Sequence, residues 1–472
     1  MKYDPVRKND LVIKNGLVIQ EDHIQKTDIG IASGIIQKIG PDLDGDEVID
    51  ARDLYVIPGG IDPHVHLEMR AGEITSSDDW ESGTIAAAIG GTTTVIDFIE
   101  PGKTQSLMDA LDERKARAEN RAVIDYSMHM TLIGSVPSQF KGIQNVVNAG
   151  ITSFKTYTTY GIKLTDAEMI SAMTEVNRSG GMVMTHCEND AIIEYLRHQL
   201  ILEGKVTPQY HPFSRPVDAE GEAVERVIAL ANTVHVPVYI VHISTSQGVD
   251  AIQRARSRGQ TVWGETCPQY LLLTEDEYKR PGFEPAKYLC QPPLRSKENN
   301  IALWKGLAED TLQTIGTDHC PFFYNGQKDR GKDLFTKIPG GMPGIESRLC
   351  LTFTYGVGKG IIDLIRWVEV ISGNPAKIFG LYPRKGCLLP GSDADIVLFD
   401  PNKSGVISRE MLHENVDYTP YEGFLYQGYP VMTIAAGQVI ARNGEFTGKG
   451  HKGKFISRKP DDHGKFRTRE RK

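Results

Sequence analysis

Two patterns predict an α/β fold, a (β/α)8 TIM-like barrel with a small β-sandwich domain built from both termini. The first is a series of eight short apolar runs, at 59–66, 92–98, 123–132, 151–157, 181–188, 236–244, 261–270 and 314–321. Stretches of helical spacing separate them, such as Leu107-Met108-Asp109-Ala110-Leu111 and Ile170-Ser171-Ala172-Met173. Alternating strand and helix implies parallel strands with crossover helices. The second pattern is that both ends of the chain read as β structure. An open doubly wound sheet would give the same alternation, so the polar residues must decide.

They fall at strand ends. The first run ends Asp62-Pro63-His64-Val65-His66. His129, Lys155, His186, His242 and Asp318-His319 lie towards the ends of the third, fourth, fifth, sixth and eighth runs. In a barrel these C-terminal ends converge on one face, where the loops build an active site. In an open sheet the outermost would lie too far apart to meet.

At the N-terminus, two apolar runs flank Asn15-Gly16, a strong hairpin signal over Leu11 to Ile19. β-rich sequence continues through Ile29-Gly30-Ile31 and Ile35-Ile36. It returns at Ala394 to Phe399 and Val431 to Ala435. The expected organisation is residues 1–55 and 381–445 as the two parts of the β-sandwich, 56–380 as the barrel, and 446–472 as a basic tail.

The 472 residues are 24% charged and 40% hydrophobic, which excludes collagen, coiled coil and global disorder. No apolar run approaches the roughly 18 residues a membrane span needs. The start, Met1-Lys2-Tyr3-Asp4-Pro5, lacks a signal segment, so secretion is not expected. The six cysteines form no close pairs and read as reduced thiols of a cytoplasmic protein. A net charge of −8 argues against a nucleic-acid partner. Residues 447–472 hold ten Lys/Arg and three Asp/Glu, a net +7 that leaves −15 for the remainder. A solvated tail or a subunit contact is the expected role.

His64 and His66 alternate along a strand, so both imidazoles point to one face. A His-x-His pair alone carries little weight; two further histidines and an aspartate from separate strand ends add to it. Imidazole with carboxylate suits zinc or a related first-row ion. Four His and one Asp exceed the needs of one catalytic zinc, which suggests two metals in one pocket. Lys155 is the odd member, because a cationic ammonium would be repelled there. It is either a surface or substrate-binding lysine, or a carbamate formed with carbon dioxide, an anion able to bridge two cations.

Five motifs complete the picture: Pro58 to His66, Gly90-Gly91-Thr92-Thr93-Thr94, Gly264-Glu265-Thr266-Cys267-Pro268-Gln269-Tyr270, Gly316-Thr317-Asp318-His319-Cys320 and Ser372-Gly373-Asn374-Pro375-Ala376. Over nearly its whole length the chain resembles the amidohydrolase superfamily, and within it the hydantoinases and dihydropyrimidinases. The resemblance implies a homotetrameric cyclic amidohydrolase with a binuclear zinc site. His64, His66 and Asp318 would bind one metal and His186 and His242 the other, with Lys155 as a bridging N6-carboxylysine. Tyr160 matches the tyrosine that hydrogen-bonds the reacting carbonyl oxygen. A bridging water, acidified by two metals, would attack the ring carbonyl. Asp318 would take its proton and return it to the departing nitrogen, giving an N-carbamoyl amino acid.

Two substrate-contact positions depart from the family. Gln291 stands before Pro292-Pro293-Leu294-Arg295 where Ser is usual, and Gly340 follows Lys337-Ile338-Pro339 where Asn is usual. Gln291 should narrow the pocket and Gly340 loosen it. The loop Met69-Arg70-Ala71-Gly72-Glu73 also differs from Met-Pro-Phe-Gly-Gly. Glu68, where dihydroorotases carry Arg and many allantoinases Asn, disfavours a substrate carboxylate. His129 reads as packed, and His319 and Cys187 as structural on the opposite face. Asp97 and Glu265 read as supporting carboxylates. His198, His211 and His235 have no metal case. Lys449 to Phe455 resembles a Gly-rich tail that contacts neighbouring subunits. The competing functions are an allantoinase-type amidase, a catalytically inactive scaffold of the same fold, and a mononuclear deaminase, which Lys155 disfavours.

Overall fold

The structure, a computed structural model, describes residues 9–459. Eight parallel strands follow one another around a barrel: Gly60–Val65, Thr92–Ile99, Asp125–Thr131, Ser153–Tyr157, Met182–His186, Val238–Ile240, Val262–Thr266 and Thr314–Ile315. Each falls on one of the eight apolar runs. A parallel bridge between Val65 and His319 brings the last strand back to the first, and His66 N donates to His319 O at 2.8 Å. The TIM-like barrel expected from the sequence is therefore the architecture found.

The crossover helices show why the spacing works. Helix Asp166–Arg178 buries Met169, Ala172, Met173 and Val176, one face of a 3.6-residue period. Thr165 caps its start, and Glu168 answers from the third position to complete a capping box. At the opposite end of the barrel from the loops, buried Arg348 ties three strands together. It donates to Ile61 O and Ile315 O, both at 2.9 Å, and to Thr92 Oγ1 at 3.1 Å.

A separate nine-stranded sheet draws on both ends of the chain. Its order is Glu445–Phe446, Gln438–Arg442, Leu425–Ala435, Ile396–Val406, Tyr55–Pro58, Asn9–Ile19, Ile24–Ala32 and Ile35–Gly40, with Gly45–Asp50 also paired to Asn9–Ile19. Tyr55–Pro58 is the joint, parallel to Asn9–Ile19 and antiparallel to Ile396–Val406. Val18, Ile29, Ile31, Val56, Ile396 and Ile434 share its core.

Asn15-Gly16 is not a hairpin turn. Asn9–Ile19 runs through it as one strand whose register shifts between Ile13 and Gly16. The chain reverses later, where Gln20 N donates to His23 O. The two halves have different parallel neighbours: Asn9 to Lys14 pair with 45–50, and Leu17 and Val18 with Tyr55 and Val56. The bulge serves this change of partner, with Asn15 at φ +64° and its N–H on Asp28 Oδ1. Gly16 must lack a side chain, since a Cβ would lie 2.3 Å from Val56 Cγ2.

The basic segment is docked on the barrel up to residue 459, although its lysines stay exposed. Tyr126 N donates to Lys454 O and Ile456 N to Tyr126 O, which adds the segment alongside the third barrel strand. Arg458 is 1% exposed and donates to Ser153 Oγ at 2.8 Å and to the Met128 carbonyl. The rest of the tail lies outside the described residues. Arg458→Ala would remove the buried guanidinium from the Met128 carbonyl and leave Ser153 Oγ with His129 alone. We expect a loss of about 2–3 kcal/mol of stability, seen as a lower thermal unfolding midpoint.

Candidate active site

His64, His66, Lys155, Tyr160, His186, His242, Gln291, Asp318 and Gly340 all line one cavity of about 830 Å³ at the C-terminal ends of the barrel strands. Within it the histidines form two pairs. His64 Nε2 and His66 Nε2 lie 3.3 Å apart, and Asp318 Oδ1 lies 3.1 Å from the first and 3.2 Å from the second. His186 Nδ1 and His242 Nε2 face each other at 2.9 Å. The His64 and His242 rings are 5.5 Å apart, so the two pairs adjoin.

Carboxylates behind the rings fix which nitrogen faces inward. His64 Nδ1 is 2.6 Å from Glu265 Oε1, and His186 Nε2 is 2.7 Å from Glu188 Oε2. This is the arrangement by which metal-bound histidines are oriented. Glu265 is fixed by the Tyr239 hydroxyl and the His242 N–H, and Glu188 by Arg215. Glu188 and Arg215 escaped the sequence reading. Glu188 ends an apolar run two residues past His186, a spacing that could have marked it. Arg215 has no such signal, because its loop gives no periodicity.

Burial and charge act differently on the donors. Burial pushes His66 down to about 4 and holds His186 and His242 low, so these rings are neutral with free lone pairs. At His64 burial also acts downward, but the Glu265 and Asp318 carboxylates outweigh it and raise the ring to about 9. Asp318 is opposed by burial, yet His64 and His66 hold it well below the usual carboxylate range. Burial lowers Lys155 to about 8. Its amine has no hydrogen bond or ion pair among the described residues; its neighbours are the Phe98 and Tyr157 rings at 5.1 and 5.2 Å.

The donor set fits divalent metal. His64, His66 and Asp318 present ligand atoms from one small region, and the Nδ1 atoms of His66 and His242 are buried without a partner. Imidazole nitrogens this close can share either a proton or a cation, and zinc is a cation that such N and O donors suit.

The two departures at the substrate wall are one complementary change. A Cβ on Gly340 would lie 2.9 Å from Gln291 Cδ and 3.0 Å from Oε1, so the missing side chain makes room for the long one. Gln291 Oε1 in turn accepts from the Tyr160 hydroxyl at 3.1 Å. Glu68 lines the cavity and pairs with Arg121 at 2.6 Å.

The remaining polar residues are supports. His129 bonds Ser153 Oγ and Pro63 O, and His319 bonds Asp78. Asp97 accepts from Leu67 N and Arg114 Nε, both at 2.8 Å. His211 holds the Cys290 carbonyl at 2.9 Å, one residue before Gln291. All six cysteines are free and buried.

Comparison with known proteins agrees with this geometry. Residues 55–440 match the amidohydrolase family. The chain is 42% identical over 452 residues to a D-hydantoinase of Geobacillus stearothermophilus, covering 95% of this chain and 96% of that one. It is 42% identical over 455 residues to a D-phenylhydantoinase of Escherichia coli, covering 95% and 98%. The crystal structure of dihydropyrimidinase from Brevibacillus agri superposes with a TM-score of 0.94 at 41% identity, covering 95% of this chain and 98% of that chain. With the barrel, the converging imidazoles and a match across most of its length, the chain belongs to the amidohydrolase family.

Proposed function

We propose that the protein hydrolyses a cyclic amide or imide, a hydantoin or dihydropyrimidine ring, to an N-carbamoyl amino acid. The observation that carries this reading is two adjoining imidazole pairs gathered with Asp318 and an unpartnered buried lysine amine in one cavity. The similarity to hydantoinases and a dihydropyrimidinase supports the substrate class. In this reading His64, His66 and Asp318 hold one divalent ion, and His186 and His242 the other, with zinc suited to these ligands. When bound, the pair supplies an acidified water and polarises the ring carbonyl.

The chain's own groups do the rest. Lys155 reacts with carbon dioxide through its neutral amine, losing one proton to become a carbamate. Burial favours this by bringing the amine down to about 8. The Tyr160 hydroxyl, kept protonated because burial raises its pKa, donates to the carbonyl oxygen as negative charge develops there. To do so it exchanges Gln291 Oε1 for the substrate. Asp318 accepts the proton from the attacking water and passes it to the ring nitrogen as the C–N bond breaks. A homotetramer belongs to the same proposal on the family resemblance alone, and a cytoplasmic location on the six free, buried cysteines. No helix of the described residues is long and apolar enough to cross a membrane.

The test is hydrolysis of dihydrouracil, substituted hydantoins, allantoin and dihydroorotate by protein of measured metal content. Turnover of the first two classes with two ions per chain is expected; a fully loaded protein inert on all four would refute the reading. Asp318→Asn should lower kcat by roughly 1000-fold while largely sparing the metal content. Lys155→Ala should lose metal and activity together, and added short-chain carboxylic acids should restore part of both. Gly340→Ala should press on Gln291 and disturb Tyr160. We expect kcat/KM to fall about 10-fold and to recover in the double variant that also carries Gln291→Ser.

A further inference from the structure

The segments after the first two barrel strands, including the helix Leu107–Ala118, supply much of the remaining cavity wall through Glu68, Arg70, Glu100, Glu113, Arg114 and Arg117. Most of these charges are satisfied within the wall. Glu68 pairs with Arg121 and Glu113 with Arg117, both at 2.6 Å, while Arg114 is spent on Asp97. Arg70 stands exposed on the two-residue strand Arg70–Ala71 and acts on Glu113.

Glu100 is different. It follows the second barrel strand, Thr92–Ile99, and is exposed to the cavity. Among the described residues its carboxylate has no hydrogen bond or ion pair. Burial raises its carboxyl to about 7 against the charges of Arg114 and, more weakly, Lys155, and it lies deep enough to act on Tyr157 and Cys320. An uncommitted carboxylate therefore faces the space between the metal-ligand cluster and the mouth.

We infer that Glu100 selects the substituent on the ring, favouring rings whose side chain ends in a cationic ammonium group. The inference rests on the cyclic-amide reading, which places the scissile carbonyl at the metal end and leaves the substituent to reach outward. A hydrocarbon substituent strips water from the carboxylate and returns nothing, which is unfavourable. A carboxylated substituent adds like-charge repulsion. An ammonium group replaces the lost water with a charge-assisted hydrogen bond. An unsubstituted ring leaves the carboxylate hydrated and is indifferent to it.

The test compares kcat/KM of metal-loaded wild type, Glu100→Gln and Glu100→Leu on unsubstituted hydantoin and on its aminobutyl, pentyl and carboxybutyl derivatives. Wild type should favour the aminobutyl over the nearly isosteric pentyl compound by roughly 10-fold and use the carboxybutyl compound least. Glu100→Gln should erase most of that preference, and Glu100→Leu should reverse it. Hydantoin itself should change by less than about twofold across the three proteins. Equal use of the aminobutyl and pentyl compounds by wild type would overturn the assignment. So would an equal slowing of all four substrates in both variants, which marks a structural role. If loaded wild type turns over none of the four and is also inert on dihydrouracil, the underlying reading falls and takes this one with it. Turnover of hydantoin without the ammonium preference sinks only the role of Glu100.

Discussion

The barrel closes through the same short segments that carry three candidate metal-ligand atoms. Val65 pairs with His319 across the seam, so His64 and His66 flank one side of the bridge and Asp318 adjoins the other. Closing the ring and bringing Nε2, Nε2 and Oδ1 to within 3.3 Å are thus one event. The seam is held by buried polar bonds, since the eighth strand has only two residues of regular pairing. Asp62 takes Thr317 Oγ1 at 2.6 Å and its N–H at 3.1 Å, and His319 is anchored by Asp78 at 3.0 Å. Each of these bonds is isolated from water, so losing one leaves an unsatisfied group in a low-dielectric interior.

Strain gathers at the same place. Asp318, His242 and Tyr160 occupy left-handed backbone at φ of +53°, +39° and +69°, where L side chains are disfavoured. Such residues cost on the order of 1–3 kcal/mol each and persist only when their surroundings over-determine them. Here the surroundings are the seam for Asp318, the Glu265 carboxylate on the His242 N–H, and Gln291 on the Tyr160 hydroxyl. The strained backbone turns each side chain from the direction of its strand towards the shared cavity.

Much of this was legible in the sequence because barrel strands are short, apolar and end in the residues that function requires. The eight runs and six of the cavity residues, His64, His66, Lys155, His186, His242 and Asp318, follow from that regularity, whereas Tyr160, Gln291 and Gly340 came from the family resemblance. What escaped depends on partners distant in the chain. Asn15-Gly16 has the composition of a turn, but neighbours at 45–50 and 55–56 hold both halves of its strand in line. Gln291 and Gly340 read as two separate departures, and only their proximity shows that one fills the space the other vacates. Lys454 to Arg458 read as solvent-loving, while the barrel supplies backbone partners that overrule composition.

The buried lysines separate structure from chemistry. Lys385 sits among Asp125 and Asp395, each at 2.6 Å, and Asp393 at 3.0 Å, and these carboxylates hold its pKa above the usual value despite burial. Lys328 is fully enclosed and falls to about 7, yet its amine still reaches Pro339 O at 3.0 Å and Leu289 O at 3.4 Å, joining the two loops that carry Gly340 and Gln291. A lysine kept for structure thus brings its acceptors into the interior with it. Lys155 brings none among the described residues, although it is only 1% exposed. An amine buried on those terms is stabilised by losing its charge, because isolated cations in protein interiors are strongly disfavoured. Deprotonation alone would leave a neutral amine beside four imidazoles. The carbamate proposed for Lys155 would go further, converting a group that repels cations into an anion that attracts them where the two imidazole pairs adjoin.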